Sequence, residues 1–156
     1  MPLNVNFDLK ADARRGMDQV EIEMMRIGLE VEKHAAQYLD DNKVNVDGDL
    51  KKSLTHEIER FQNLIRLKVG AGAKHAPYVH FGTKPHRPPL APLVRWAKKK
   101  FGLDDKDAKR VGYAVVLKIT KKGTEPKPFL DYAINKVADK VAERIQTAFL
   151  RGFNAV

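Results

Sequence analysis

Between Asp12 and Asp40, apolar side chains recur every three or four positions, at Met17, Val20, Met24, Ile27 and Val31, with Ala35 and Tyr38 following. This is the spacing of one helical face. At roughly 1.5 Å per residue the helix reaches about 40 Å, long for a chain of 156 residues, so part of it is expected to project or bridge. A second apolar set, Ile22, Met25 and Leu29, falls on nearly the opposite side. The helix therefore presents apolar surface in two directions. One covers the chain's own core; the other either meets a neighbouring subunit or is sandwiched within the same fold.

Asp40-Asp41-Asn42 and Asp47-Gly48-Asp49 are turn chemistry, ending this helix and starting a short turn over 50–54 that Asp49 can cap. From Ser53 to Val69 the pattern alternates. Leu54, His56, Ile58 and Arg60 share one face, and Ile65, Leu67 and Val69 share one on the return, which predicts a hairpin turning near Gln62-Asn63. Gly70-Ala71-Gly72-Ala73 then releases the chain from the sheet. Pro85, Pro88, Pro89 and Pro92 exclude regular helix or inner strand over 84–92, because proline lacks an amide donor and restricts the residue before it. That stretch reads as an extended, ordered arm.

Pro92 suits the first turn of a following helix that turns Leu93, Trp96, Ala97 and Phe101 inward and Lys98, Lys99 and Lys100 to water. Residues 104–120 fit either a helix capped by Asp104 or Asp105 or, from Val111 onward, a β-branched strand; helix is the favoured reading. Pro126 and Pro128 form a second rigid loop. A last helix carries Ile134, Val137, Ala138, Val141, Ile145 and Phe149 inward and runs to about Leu150. The expectation is one α+β domain spanning 1–156, with a long N-terminal helix and C-terminal helices packed on a small antiparallel sheet, and a proline-rich arm.

Charge is the informative part of the composition. The 29 Lys and Arg exceed the 20 Asp and Glu by nine. Residues 84–122 hold 12 basic and 3 acidic side chains, so the whole excess lies there. Arg95, Lys98, Lys99, Lys100, Lys106, Lys109 and Arg110 around an amphipathic helix pair would neutralise phosphates or face an acidic protein surface, the alternative being a solvated cationic face. No zinc finger, RNA-recognition motif or helix-turn-helix accompanies them. Trp96, in helical register with Leu93 and Phe101, reads as core rather than as a base-stacking platform.

Signatures of catalysis are missing. The chain has no cysteine, its one serine, Ser53, sits in no nucleophile elbow, and no Gly-rich phosphate loop is present. His75, His80 and His86 are spaced five and six apart, which suits no common ligand pair. No catalytic residue, cofactor or metal is expected. Met1 to Lys10 lacks the apolar run of a secretory signal and no window approaches a membrane span, so neither export nor membrane insertion is expected.

Three segments carry a resemblance. They are Asp47-Gly48-Asp49-Leu50-Lys51-Lys52-Ser53-Leu54, Ala76-Pro77-Tyr78-Val79-His80-Phe81-Gly82-Thr83, and Gly123-Thr124-Glu125-Pro126-Lys127-Pro128-Phe129-Leu130 followed by Ala133. In order and spacing over roughly residues 12–150 they resemble the neck or tail-completion proteins of long-tailed bacteriophages. The chain departs from that pattern at His75, where tyrosine is common, and at His80, where glutamate is. The resemblance implies a virion structural protein, assembled in the bacterial cytoplasm as a homo-oligomeric ring at the head-tail junction. It implies no catalysis, and as partners other connector and tail proteins and packaged DNA.

Within that reading Ile22, Met25, Leu29, Tyr78, Phe81, Pro88 and Pro89 are the candidate oligomer interface, and the basic set faces the DNA channel or an acidic partner. The alternative is a nucleic-acid-binding module, without sequence preference, carried by 84–122.

Overall fold

The apolar register over 12–40 becomes one continuous helix, α1 (Leu9–Asp41). The computed structural model describes residues 9–44, 48–62 and 64–154. Asp47 and Asn63, assigned above to turns, lie outside them. Val20, Ile27, Val31, Ala35 and Leu39 are buried. The helix stops at a reversal with Lys43 in the left-handed region (φ 52°), where the amides of Lys43 and Val44 donate to the carbonyls of Asp40 and Leu39 at 2.9 and 3.0 Å. These bonds satisfy carbonyls that the last turn leaves free. The short helix α2 (Asp49–Lys52) follows Gly48, which holds the capping position at φ 79° with no side-chain bond. Asp49 is therefore inside the first turn and is not the cap.

Alternation yields the expected hairpin, β1 (Leu54–Arg60) and β2 (Ile65–Ala71), an antiparallel two-stranded sheet closed by the Phe61 amide donating to the Leu64 carbonyl at 2.7 Å. The strand continues through Gly70 and Ala71, two residues into the stretch expected to release it. The remaining helices are α3 (Ala76–Phe81), α4 (Leu90–Phe101), α5 (Asp105–Lys122) and α6 (Phe129–Phe153). The ambiguous stretch is thus helical. The Asp104 carboxylate caps α5 by accepting from the Asp107 amide at 2.8 Å. The fold is α+β and mostly helical.

The described residues gather into two units, both made of separated stretches of chain. The first holds residues 9–35 of α1, the hairpin as far as residue 70, and α6 from residue 130. Within it α6 runs antiparallel to α1. Gly16 leaves room for the Phe149 ring, Gly152 for the Arg15 backbone, and the Arg144 guanidinium reaches Glu23 and Glu30 at 2.7 and 2.6 Å. The hairpin lies along another flank of α1. His56 sits over Gly28 and its Nδ1 is 2.8 Å from Glu32, while Arg60 meets Asp18 and Glu21 at 2.6 and 2.8 Å. On α6 Ala133, Val137, Ala148 and Gly152 are buried from residue 130 on, whereas Ile134 and Ala138, expected inside, are exposed.

The second unit holds residues 36–44, 48–53 and 71–129. Its core is the α4–α5 pair, joined by three residues that reverse at Gly102. Gly112 lets Val94 and Leu90 come close, and Ala97 and Ala108 are fully buried between the helices. Phe101, expected inward, is exposed instead, its ring edge meeting Trp96 at 5.6 Å.

Two Gly-Thr pairs close this unit. The amides of Thr83 and Thr124 each donate to the other's carbonyl at 3.1 Å, and the two hydroxyls are 3.0 Å apart. Gly82 (φ 70°) and Gly123 (φ 73°) precede them in the left-handed region. A Cβ on Gly123 would lie 1.9 Å from the Thr83 carbonyl oxygen, and one on Gly82 would lie 2.4 Å from that of Thr124. Only glycine fits both demands. Gly123→Ala is therefore expected to remove about 3 kcal/mol or more of stability. Gly102→Ala, at φ 64° with nothing within 4 Å, should lose only about 1 kcal/mol. Urea unfolding midpoints of the two variants check the difference.

Candidate functional site

Three surfaces carry the residues singled out in the sequence. The first is on α1. At 100° per residue, Ile22, Met25 and Leu29 point roughly 150° away from the buried row of Val20, Ile27 and Val31. The contacts to α6 and to the hairpin occupy the two flanks between. The stripe is left uncovered: Ile22, Met25 and Leu29 are 42%, 48% and 54% exposed. Asp18 and Glu21 border it on the hairpin side. Both carboxylates share the single guanidinium of Arg60, which leaves net negative charge at that border.

The second surface is the aromatic and proline region of the second unit. Short helix α3 exposes Tyr78 and Phe81, at 64% and 75%, while turning His80 inward. The His80 ring packs edge-on against Phe81 and Phe129 at 4.5 and 5.3 Å. A histidine here is a packing group among aromatics. The Lys127 amide donates to the Val79 carbonyl at 2.8 Å, so the two motif segments 76–83 and 123–129 are held together by this bond as well as by the Thr83–Thr124 bridge. Beside α3 the arm is extended only over 84–89, since α4 already begins at Leu90 with Pro92 in its first turn, where no intrahelical amide bond is lost. It is anchored by the His86 amide donating to the Ile119 carbonyl at 3.4 Å. Pro89 is exposed and Pro88 half-buried. Arm and helix enclose a groove of about 700 Å³, lined chiefly by His75, Tyr78, Pro85, His86, Pro88 and Leu93.

The third is the basic face. Arg95, Lys99, Lys100, Lys106, Lys109 and Arg110 are exposed and Lys98 half-exposed on α4 and α5. Several have local partners: Lys98 pairs with Asp105, Arg110 lies 3.6 Å from Asp107, and the Lys100 ammonium stands 5.0 Å over the Trp96 ring. The Lys98 hydrogen bond holds the Asp105 carboxyl below its ordinary range, with the Lys98 and Lys109 charges adding to it. Trp96 is half-buried under this ammonium, partly core and partly the underside of the basic face. Among the described residues the first unit has 12 Lys and Arg against 11 Asp and Glu, and the second 17 against 7. The charge excess is thus a property of one unit.

The structure places the seven interface candidates in both units: Ile22, Met25 and Leu29 in the first, Tyr78, Phe81, Pro88 and Pro89 in the second. All seven basic candidates are in the second. His75, His80 and His86 do not converge on one point in space, and among the described residues no group of three or more acidic or histidine side chains is placed to hold a metal. No helix of the described residues is long and apolar enough to cross a membrane. Sequence reasoning missed the Thr83–Thr124 clasp, for which the repeated Gly-Thr pair was the available signal. It also missed the Arg144 cluster, whose members lie more than a hundred residues apart and leave no local signal.

That cluster sets an acid response. Burial raises the Glu23 carboxyl, but hydrogen bonds and charge from Arg144 and Arg26 outweigh it and hold the group below its ordinary 4.5. A carboxylate depressed on folding stabilises the fold fully above its ordinary value, and that contribution is lost as pH falls through the lower, folded value. Arg144→Met should therefore destabilise the protein by about 1–3 kcal/mol near neutral pH and flatten the loss of stability below pH 4.5. Thermal unfolding followed from pH 7 to pH 3 checks both. Comparison with family models, with curated proteins and with solved structures finds no match for this chain.

Proposed function

We propose that the chain is a virion structural subunit, a phage neck or tail-completion protein that forms a ring at the head-tail junction, joins tail to head and surrounds the DNA channel. One observation carries this reading. A helix built into the fold on three sides keeps an apolar stripe in water on the fourth, and the second unit keeps a different apolar surface around Tyr78 and Phe81. Two unlike apolar surfaces on one chain are what head-to-tail packing of identical copies needs, and such packing closes into a ring when the rotation per copy fits. The three motif segments that resemble the neck and tail-completion family support the same reading.

Magnitudes favour using both surfaces. Completing the burial of Ile22, Met25 and Leu29 gains on the order of 3 kcal/mol, less than the freedom lost when two molecules associate. The aromatic surface of the second unit supplies the rest. The basic face then lies toward the DNA channel or an acidic neighbouring ring. The ring is assembled in the bacterial cytoplasm and carried in the virion.

Replacing Met25 and Leu29 together by glutamate should abolish oligomer formation while the monomer stays folded, because both side chains already contact water. Light scattering coupled to gel filtration reads the mass, and circular dichroism the fold. Assembly of the double variant at wild-type size would remove the stripe from the interface.

The concentration of charge in the second unit favours one other reading, a nucleic-acid-binding module without sequence preference. A purified monomer would then bind random duplex DNA with an affinity that falls steeply with salt, by a logarithmic slope of about 0.9 for each phosphate neutralised. A discrete ring with a shallow slope supports the structural role.

A further inference from the structure

We infer that the stripe of α1 on one copy seats in the groove of the second unit on the next copy. This rests on the ring reading and deepens it by naming the two surfaces that meet.

The first argument is fit. Ile22 to Leu29 spans about 10 Å of helix with three side chains on one line, the pattern by which an apolar helix face enters a groove. A groove of about 700 Å³ lined by rings, prolines and Leu93 accepts several side chains and presents few polar groups to them. The second is charge. No carboxylate lines the groove; its ionisable members besides Tyr78 are His75, Lys84 and His86, and exposed Arg87 adjoins them. The stripe's hairpin-side border is the reverse, with Asp18 and Glu21 sharing one guanidinium, while its opposite border carries Arg26, paired with Glu23, and exposed Lys33. A cationic rim meeting the anionic side of the stripe orients the docked helix, and like charge disfavours groove on groove. The third is symmetry. Stripe against stripe makes a closed pair and leaves the groove uncovered, whereas stripe into groove leaves one free stripe and one free groove at the ends of every open chain of copies, as ring growth requires.

The test uses the absence of cysteine from the chain. Met25→Cys and His86→Cys proteins, both altered at exposed positions, are mixed under mild oxidation, with assembly mass followed in parallel by light scattering. A disulfide forms only where the two sulfurs can approach closely, so the mixture should give a mixed covalent dimer at least about fivefold above the self-linked dimer of either variant alone. Leu29→Cys with His75→Cys provides a second pair, and circular dichroism confirms that each variant folds. Assembly without mixed cross-links in either pair overturns the groove assignment and leaves the ring reading standing. Predominant Met25→Cys self-linking overturns it in favour of a stripe-to-stripe pair. Tight binding of acidic-apolar synthetic peptides in the groove of an assembled ring shows a different occupant and also overturns it. A protein that stays monomeric at all concentrations overturns the ring reading together with this one.

Discussion

A helix has one circumference, and on α1 about two thirds of it is committed. Val20, Ile27 and Val31 take the core side, Gly16, Glu23 and Glu30 the side of α6, and Gly28, Glu32, Glu21 and Asp18 the side of the hairpin. At 100° per residue, what remains is about a third of the turn, where Ile22 and Leu29 lie beside Arg26 and Lys33, with Met25 at its hairpin edge. Among the described residues the first unit offers no further element over that sector, and Ile22, Met25 and Leu29 stay about half exposed.

The second unit is arranged around a different constraint, the direct approach of two backbone segments at the Thr83–Thr124 bridge. Left-handed glycines on both sides bring the carbonyls too close for any Cβ, and the bridge ties the end of α3 to the loop that follows α5. The proline arm leaves the first of these segments and returns into α4. Its fixed ends and restricted torsions let it hold one wall of a groove with little loss of freedom on binding.

The same unit bears the charge. Seventeen cations against seven anions in one half of the described chain produce a field that a nearly neutral first unit does not cancel. The ion pairs Lys98–Asp105 and Arg110–Asp107 temper it locally, yet Arg95 and Lys106 make no ion pair among the described residues. The field attracts anionic surfaces to this unit more strongly than to the first.

The sequence by itself determined most of the elements, though it left 104–120 open between helix and strand and did not mark α3 as a helix. Periodicity placed α1, the hairpin and α6, proline placed the arm, and Asp104 or Asp105 was the cap available to a helix over 104–120, because hydrogen-bonding geometry and side-chain spacing are local properties. It also confined the excess charge to residues 84–122 and singled out Ile22, Met25 and Leu29 as a second apolar face. Only the tertiary structure decided which apolar residues stay in water, as it left Phe101 and Ile134 exposed while burying Ala133 and Gly112. It alone joined Arg144 to Glu23 and Glu30, and Gly82-Thr83 to Gly123-Thr124. Burial and long-range pairing depend on what other stretches of chain arrive at a given face, and nothing in a residue's own neighbourhood records that.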